Sequence, residues 1–214
     1  MALVEQTAPP APAAERVVLG PGIEVLVRPI RPEDKPLLSR GFDRLSPEAR
    51  FQRFFTPLTE LAPSDLRYLT EVDHHDHEAL VAIDPEEGEL VAVARYIRTE
   101  RREESEVAIV VADEWRGQGL GTAILKRLAA HARRAGIRHF IAITLSGNSP
   151  ANELFENFIP DHARTRHGDP GQNRIWISLP RSQQFAGTSL ARALRSAARG
   201  TVRLVPGRRP RKKT

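Results

Sequence analysis

Apolar residues alternate along some stretches of the chain and recur at three- or four-residue spacing along others, and the switch between the two periods marks out its elements. The segment "IEVLVRPI" (23–30) reads as a first strand, and Pro32 opens a short helical stretch. In "SPEARFQRFF", Ser46 is placed as a helix N-cap and Pro47 in the first turn, the positions those residue types favour. "APSDLRYLTEV" repeats the arrangement with Ser64 as the expected cap. Two strands follow, "EALVAID" and "ELVAVARYIR", separated by the turn-forming "PEEG". "SEVAIVVAD" (105–113) is short and β-branched. After it, Leu120, Ile124, Leu128 and Ala132 fall at four-residue intervals along a helix that Gly136 is placed to end. "RHFIAITLS" is a strand, "NSPANELFENF" a short helix capped by Asn148 or Ser149, and "NRIWISL" (173–179) the last strand. The order β–α–α–α–β–β–β–α–β–α–β predicts an α/β (α+β) fold with a mixed sheet and helices packed on its faces. "DHARTRHGDPGQN", with His162 and His167, reads as a polar loop.

Composition sets the limits of that domain. The chain has 214 residues and is 40% hydrophobic, enough for one core plus tails. Residues 1–20 are rich in Ala and Pro and read as a disordered arm, which leaves 21–180 for the domain. Residues 181–214 carry ten Arg or Lys and no acid, so the remaining 180 residues hold 22 basic and 27 acidic residues, and the +5 charge belongs to the tail. Such a tail, with "SLARALRSAAR" as a short helix at most, suits nucleic acid or an anionic surface as partner, or simply a solvated end. No apolar run approaches the roughly 20 residues of a membrane span. The first residues lack the pattern of a signal peptide. Cysteine is absent, which removes disulfides, thiolate catalysis and Cys-ligated zinc, and leaves a cytoplasmic location as the expectation.

Chemistry concentrates in "WRGQGLGTAIL", where Gly117, Gly119 and Gly121 stand at alternate positions between a strand and a helix. A helix N-terminus offers unpaired N–H groups and the positive end of its dipole, a combination that binds phosphate. The order strand, glycines, helix aims the amides of Gly117, Gly119, Gly121 and Thr122 at one anion, with the Thr122 hydroxyl and the Arg116 charge beside them. The nucleotide P-loop ending Gly-Lys-Ser/Thr is missing. The dinucleotide fingerprint fails at Thr122, where its third glycine belongs, and lacks the acidic residue about twenty positions on.

Arg-x-x-Gly-x-Gly, from Arg116 to Gly121, resembles the acetyl-CoA-binding motif of the GNAT N-acetyltransferase superfamily. "VRPIRPEDKPLL", "LSPEARFQRFF", "LTEVDHHDHEALVAI" and "ESEVAIVVADEWRGQGLGTAIL" extend the likeness, over roughly residues 23–160, to the acetyltransferase domain of bacterial protein lysine acetyltransferases. The resemblance implies a GNAT fold with about six or seven strands, helices on both faces, and a splayed parallel strand pair that binds acetyl-CoA. It implies that Arg116, Gly117, Gln118, Gly119, Leu120, Gly121 and Thr122 hold the pyrophosphate. Val111 then offers backbone groups to the pantetheine, an N–H between Ile109 and Val111 faces the thioester oxygen, and Asn148 bonds the pantetheine or caps its helix. Glu106 matches the family's glutamate general base; on the residues alone it is equally a solvated member of the run with Glu103 and Glu104. The family's tyrosine general acid is replaced by Phe155, and its closing Gly-Phe by "FIP".

The resemblance implies acetyl transfer to an amine, with a protein lysine as acceptor. A small-molecule amine acceptor or a non-catalytic coenzyme A-binding module fits the same loop. Such domains often pair, so a homodimer is compatible. No metal is expected: "DHHDHE" (73–78) has no second ligand cluster, and Asp73 and His77 read as a hydrogen-bonded start to a strand. His131 reads as exposed, and Phe51, Phe54 and Phe55 as core or cleft lining.

Overall fold

The computed structural model describes residues 14–20, 22–158, 164–169 and 171–179. The first part of the expected arm, the basic tail with its "SLARALRSAAR" stretch, His162 and the side chain of His167 lie outside the described residues. The strands are β1 (Glu15–Gly20), β2 (Ile23–Pro29), β3 (His77–Ile83), β4 (Leu90–Arg98), β5 (Glu104–Val111), β6 (His139–Leu145), β7 (Arg164–Asp169) and β8 (Gln172–Ser178). They make one sheet in the order β1-β2-β3-β4-β5-β6-β8-β7. Only β5 and β6 run parallel; every other neighbouring pair is antiparallel.

Both strands beyond the expected number are edge strands. β1 occupies part of the segment read as a disordered arm. It points Val17 inward at 5% exposure and leaves Val18 65% exposed. Pairing with β2, the Glu15–Arg127 ion pair at 2.6 Å and the single buried side chain of Val17 hold it. β7, "RTRHGD", contains no apolar side chain and exists by pairing with β8. An edge strand needs little burial, so β7 carries no apolar residue and β1 only the short run Val17–Leu19.

The helices are α1 (Lys35–Asp43), α2 (Pro47–Phe54), α3 (Pro63–Thr70), α4 (Leu120–Arg134) and α5 (Ser149–Phe158). Central strands β3 and β4 are buried along nearly their whole length because helices cover both faces. Ala79 and Val81 of β3 pack with Leu38 of α1 and Leu69 of α3. The alternate residue Glu78 meets His131 of α4, so α1 and α3 lie on one face and α4 on the other. α4 turns Leu120, Ile124, Leu128 and Ala132 toward the sheet, each at most 1% exposed, along the predicted face. Burial of each Leu or Ile there is worth about 1.5–3 kcal/mol.

Caps decide where the helices start. Ser46 Oγ accepts from the Ala49 amide at 3.2 Å, as its position predicts. Ser64 does not cap α3. The helix begins two residues before that cap would place it, at Pro63 with Ala62 as the N-cap, and the Asp65 carboxylate reaches back to the Ala62 amide at 3.0 Å. Gly136 closes α4 with φ +82°.

The feature that positions the site is a break in the sheet. β5 pairs with β4 over its length, but with β6 only from Glu104↔His139 to Val107↔Ala142. Past Val107 the two parallel strands diverge and leave a gap.

Candidate active site

Backbone polarity in the gap follows from the antiparallel ladder. The Ala112 amide donates to Val91 O at 2.9 Å, which makes Val111↔Ala92 a pair whose own N–H and C=O groups point away from β4. The same alternation applies to Ile109 opposite Ala94, whereas Val110 spends its groups on β4. The N–H and C=O of Ile109 and the N–H of Val111 therefore face the space that β6 has vacated without a strand partner, while Val111 O is met by the Arg116 side chain.

A cleft of about 370 Å³ runs from this gap to the start of α4, within the size range of ligand pockets. Val111, Arg116, Gly117, Gly119, Leu120, Gly121, Thr122 and Asn148 line it; Gln118 and Glu106 do not. Gln118 instead braces the loop by donating to Glu114 O at 2.8 Å.

The three glycines serve two purposes. Gly117 and Gly119 have φ of +74° and +84°, the left-handed region that side chains avoid. Gly121 is there for contact: a Cβ on it would stand 3.1 Å from Leu154 Cδ2, so α4 and α5 approach closely at the cleft wall. Gly119 occupies the N-cap of α4 and no side chain caps that end. The amides of Leu120, Gly121 and Thr122 thus have no preceding helical carbonyl to bond and face the cleft with the positive end of the dipole behind them. Asp113 anchors the loop, accepting from the Ser46 amide at 3.2 Å and pairing with Arg116 at 2.8 Å. Arg116 also donates from Nε to Val111 O at 3.3 Å.

Glu106 lies opposite Ile97 on β4 and Ile141 on β6, within the still-paired part of β5. It is exposed, has no hydrogen-bond or ion-pair partner among the described residues, and shares a sheet face with Ala108 and Val110. Asn148 Oδ1 accepts from the Ala151 amide at 3.1 Å, the capping role, and the residue also lines the cleft. Phe155 is 3% exposed and belongs to the core, so it neither enters the cleft nor offers a proton there.

The histidine-rich segment is a hydrogen-bonded turn. Asp73 Oδ1 accepts from the amides of His75, Asp76 and His77, each at 2.8 Å. His77 Nε2 receives Arg95 Nη1 at 3.0 Å; burial, and then the Arg95 charge, pull the imidazole down to about 4, so it is neutral. Buried Glu78 bonds both His74 at 2.8 Å and His131 at 3.0 Å. His131 is thereby a half-buried partner rather than a free surface residue. Among the described residues no group of three ligating side chains is placed to hold a metal.

Sequence reasoning missed two arginines. Arg53 of α2 lines the cleft, and Arg95 of β4 lies behind it. The signal for Arg95 was present as a charged residue inside "VAVARYI", a stretch otherwise free of charge. Of the aromatic trio, Phe54 packs on Phe42 at 5.7 Å. Phe51 and Phe55 are 42% and 37% exposed and belong to neither core nor cleft.

A mixed sheet that opens between two parallel strands, with a glycine loop feeding an uncapped helix beside the opening, defines a coenzyme-binding acyltransferase architecture. Comparison with known proteins agrees. Residues 44–158 match the acetyltransferase (GNAT) family. The chain is 33% identical over 138 residues to Acetyltransferase PA5475 of Pseudomonas aeruginosa, covering 64% of this chain and 74% of that one. It is 29% identical over 131 residues to Acetyltransferase Pat of Mycolicibacterium smegmatis, covering 61% of this chain but only 39% of that longer protein. The crystal structure of the GNAT domain of S. lividans PAT superimposes with a TM-score of 0.70 at 32% identity, over 78% of this chain and 97% of that domain. The chain belongs to the acetyltransferase (GNAT) family and is an N-acetyltransferase of that type.

Proposed function

We propose that the protein transfers an acetyl group from acetyl-CoA to the side-chain amine of a lysine in a protein, with Glu106 as general base. The observation that carries the reading is the continuity of two sets of backbone groups without a strand or helix partner: the Ile109 N–H and C=O and the Val111 N–H in the gap, and the first-turn amides of α4 at its end. Acetyl-CoA fits this donor set, since it has an amide-bearing arm at one end and a pyrophosphate at the other. It supplies an activated acetyl thioester. The lysine acceptor rests on the resemblance of residues 23–160 to the acetyltransferase domain of bacterial protein lysine acetyltransferases, alongside the similarity to S. lividans PAT and to Acetyltransferase Pat of M. smegmatis. The proposed catalytic unit is residues 21–180, with β1 added to it.

Each residue then has a defined task. The amides of Leu120, Gly121 and Thr122, helped by Arg116, hold the diphosphate. Val111 orients the pantetheine through its backbone groups. The Ile109 N–H faces negative charge that develops on the carbonyl oxygen. Glu106 takes the proton from the incoming ammonium. It lies three residues from Ile109, about 10 Å along a strand, a distance bridged by its side chain and water. With Phe155 buried, the departing thiolate takes its proton from solvent.

The test is acetyl transfer from acetyl-CoA to a lysine-rich protein, scored by mass spectrometry, with wild type and Glu106→Gln. The expected result is a rate loss of about 10²–10⁴ with acetyl-CoA affinity retained. A variant within threefold of wild type would remove Glu106 from the mechanism. A wild type that acetylates small amines but no protein lysine would overturn the acceptor assignment.

A further inference from the structure

A smaller cavity of about 40 Å³ adjoins the cleft on the face covered by α1, α2 and α3. Its walls are mostly aliphatic, and Arg53 and Val110 line both spaces. Two guanidinium groups meet there without a carboxylate. Arg95 is 4% exposed; its Nη2 donates to Leu69 O at 3.1 Å, its Nη1 faces the neutral His77 ring, and its Nε is buried with no partner. Arg53 has the Phe54 ring 5.0 Å from its guanidinium carbon and no ion pair among the described residues. Burial pulls Arg53 down to about 10 and Arg95, which also feels the Arg53 charge, to about 9; both stay cationic at neutral pH. Arg95 is a charge held out of water with no counter-charge, and half-buried Arg53 adds a like charge beside it; both oppose folding, and a buried donor left unmatched calls for a partner from outside the chain.

We propose that Arg53 and Arg95 form a carboxylate-binding subsite at the inner end of the cleft, so that one of the two reactants carries a carboxylate remote from its reacting group. Arginine forks match a carboxylate bidentately, and the aliphatic wall suits a short methylene spacer. The volume admits little more than that group. The carboxylate belongs either to the acyl group, as in a dicarboxylic half-thioester, or to the amine acceptor, as in an amino acid. The proposal rests only on the acyltransfer reading of the cleft: a carboxylate on the acyl group would put a dicarboxylic acyl in place of acetyl, and one on the acceptor would put a free amino acid in place of a protein lysine.

Calorimetric titrations of the full chain distinguish the two sources. One arm compares succinyl-CoA with acetyl-CoA; the other compares N-α-acetyl-lysine with its methylamide, with and without coenzyme A. Wild type is expected to prefer the carboxylate-bearing member of one pair by about tenfold or more, the effect of one charged hydrogen bond. That preference should fall to about threefold or less in Arg53→Gln or in Arg95→Gln, so a folding failure of one variant leaves the other to decide. A lost preference in the first arm assigns the carboxylate to the acyl group, in the second to the acceptor. Absence of preference in both wild-type arms, or its persistence in both variants, overturns the subsite. If acetyl-CoA itself does not bind, the acyltransfer reading fails separately, and the lysine pair measured without coenzyme still decides the subsite.

Discussion

Replacing Gly119 by alanine separates the conformational role of this glycine from its role toward the coenzyme. At φ +84° an L-residue costs about 1–2 kcal/mol, part of which the stiffer unfolded chain returns. The net loss is ~1 kcal/mol, or about 2–4 °C in Tm for a domain of this size. No heavy atom lies within 4 Å of the added Cβ, so no clash adds to that figure. Gly119 does, however, line the cleft beside the Leu120–Thr122 amides, so a methyl group added there is expected to hold an anion off. Loss of one charge-assisted hydrogen bond weakens acetyl-CoA binding by about 10- to 100-fold. Gly136 supplies the control. It sits at the other end of α4 with φ +82° and equally open surroundings. Gly136→Ala should show the same Tm loss by scanning calorimetry and wild-type affinity by titration. Equal acetyl-CoA affinity in the two variants would refute the assignment of the loop.

Two further outcomes concern stability and pH. Asp34 is 7% exposed and accepts from Arg28 at 2.6 and 2.7 Å and from the Arg31 amide at 2.8 Å. Burial pushes its carboxyl up, but those hydrogen bonds and the Arg28 charge outweigh it and hold the group below the ordinary carboxylate range. Asp34→Asn leaves Arg28 without its charge partner and should cost about 3–5 kcal/mol in urea unfolding. Because the folded-state pKa is depressed, the Asp34 contribution is complete above pH ~4 and disappears as pH falls through the folded value, so the variant's acid unfolding should be shallower; an unchanged acid limb would contradict the pairing. His77 binds its proton less readily in the folded chain, at about 4 against 6.5. Stability should therefore decline as pH drops from 6.5 toward 4. His77→Gln keeps an acceptor for Arg95 and should flatten that decline, as followed by thermal unfolding across the interval.

The sequence was most legible where one residue type answered one physical need. The Leu120–Ala132 face, the Ser46 cap and the terminating Gly136 each followed from local rules, and the glycine loop from its place between strand and helix. The resemblance supplied the splayed strand pair, which no periodicity in β5 or β6 encodes, because a gap is a relation between two segments. The resemblance pointed to Val111 and to an N–H between Ile109 and Val111; only the β4 register separates Ile109 and Val111, which face the gap, from Val110, which does not. β1 and β7 escaped because pairing holds them, and the Ser64 cap failed because Asp65 caps from inside the helix. Arg53 and Arg95 escaped for the opposite reason, since a lone arginine in a helix or strand reads as surface until its neighbours are known.

The chain's strands are joined across the β5–β6 seam by only four register pairs, Glu104–Val107 against His139–Ala142. Mechanically this makes two plates, β1 to β5 and β6 to β8, meeting at a short hinge line near one end. A molecule that bonds Ile109 and Val111 on one plate and Asn148 beyond the other works as a strut across the open end. Stiffness of the assembled sheet is then conferred by cargo: amides of the β6–β8 plate should exchange hydrogen more slowly once acetyl-CoA is aboard, while those of β2 and β3, deep in the first plate, keep their pace.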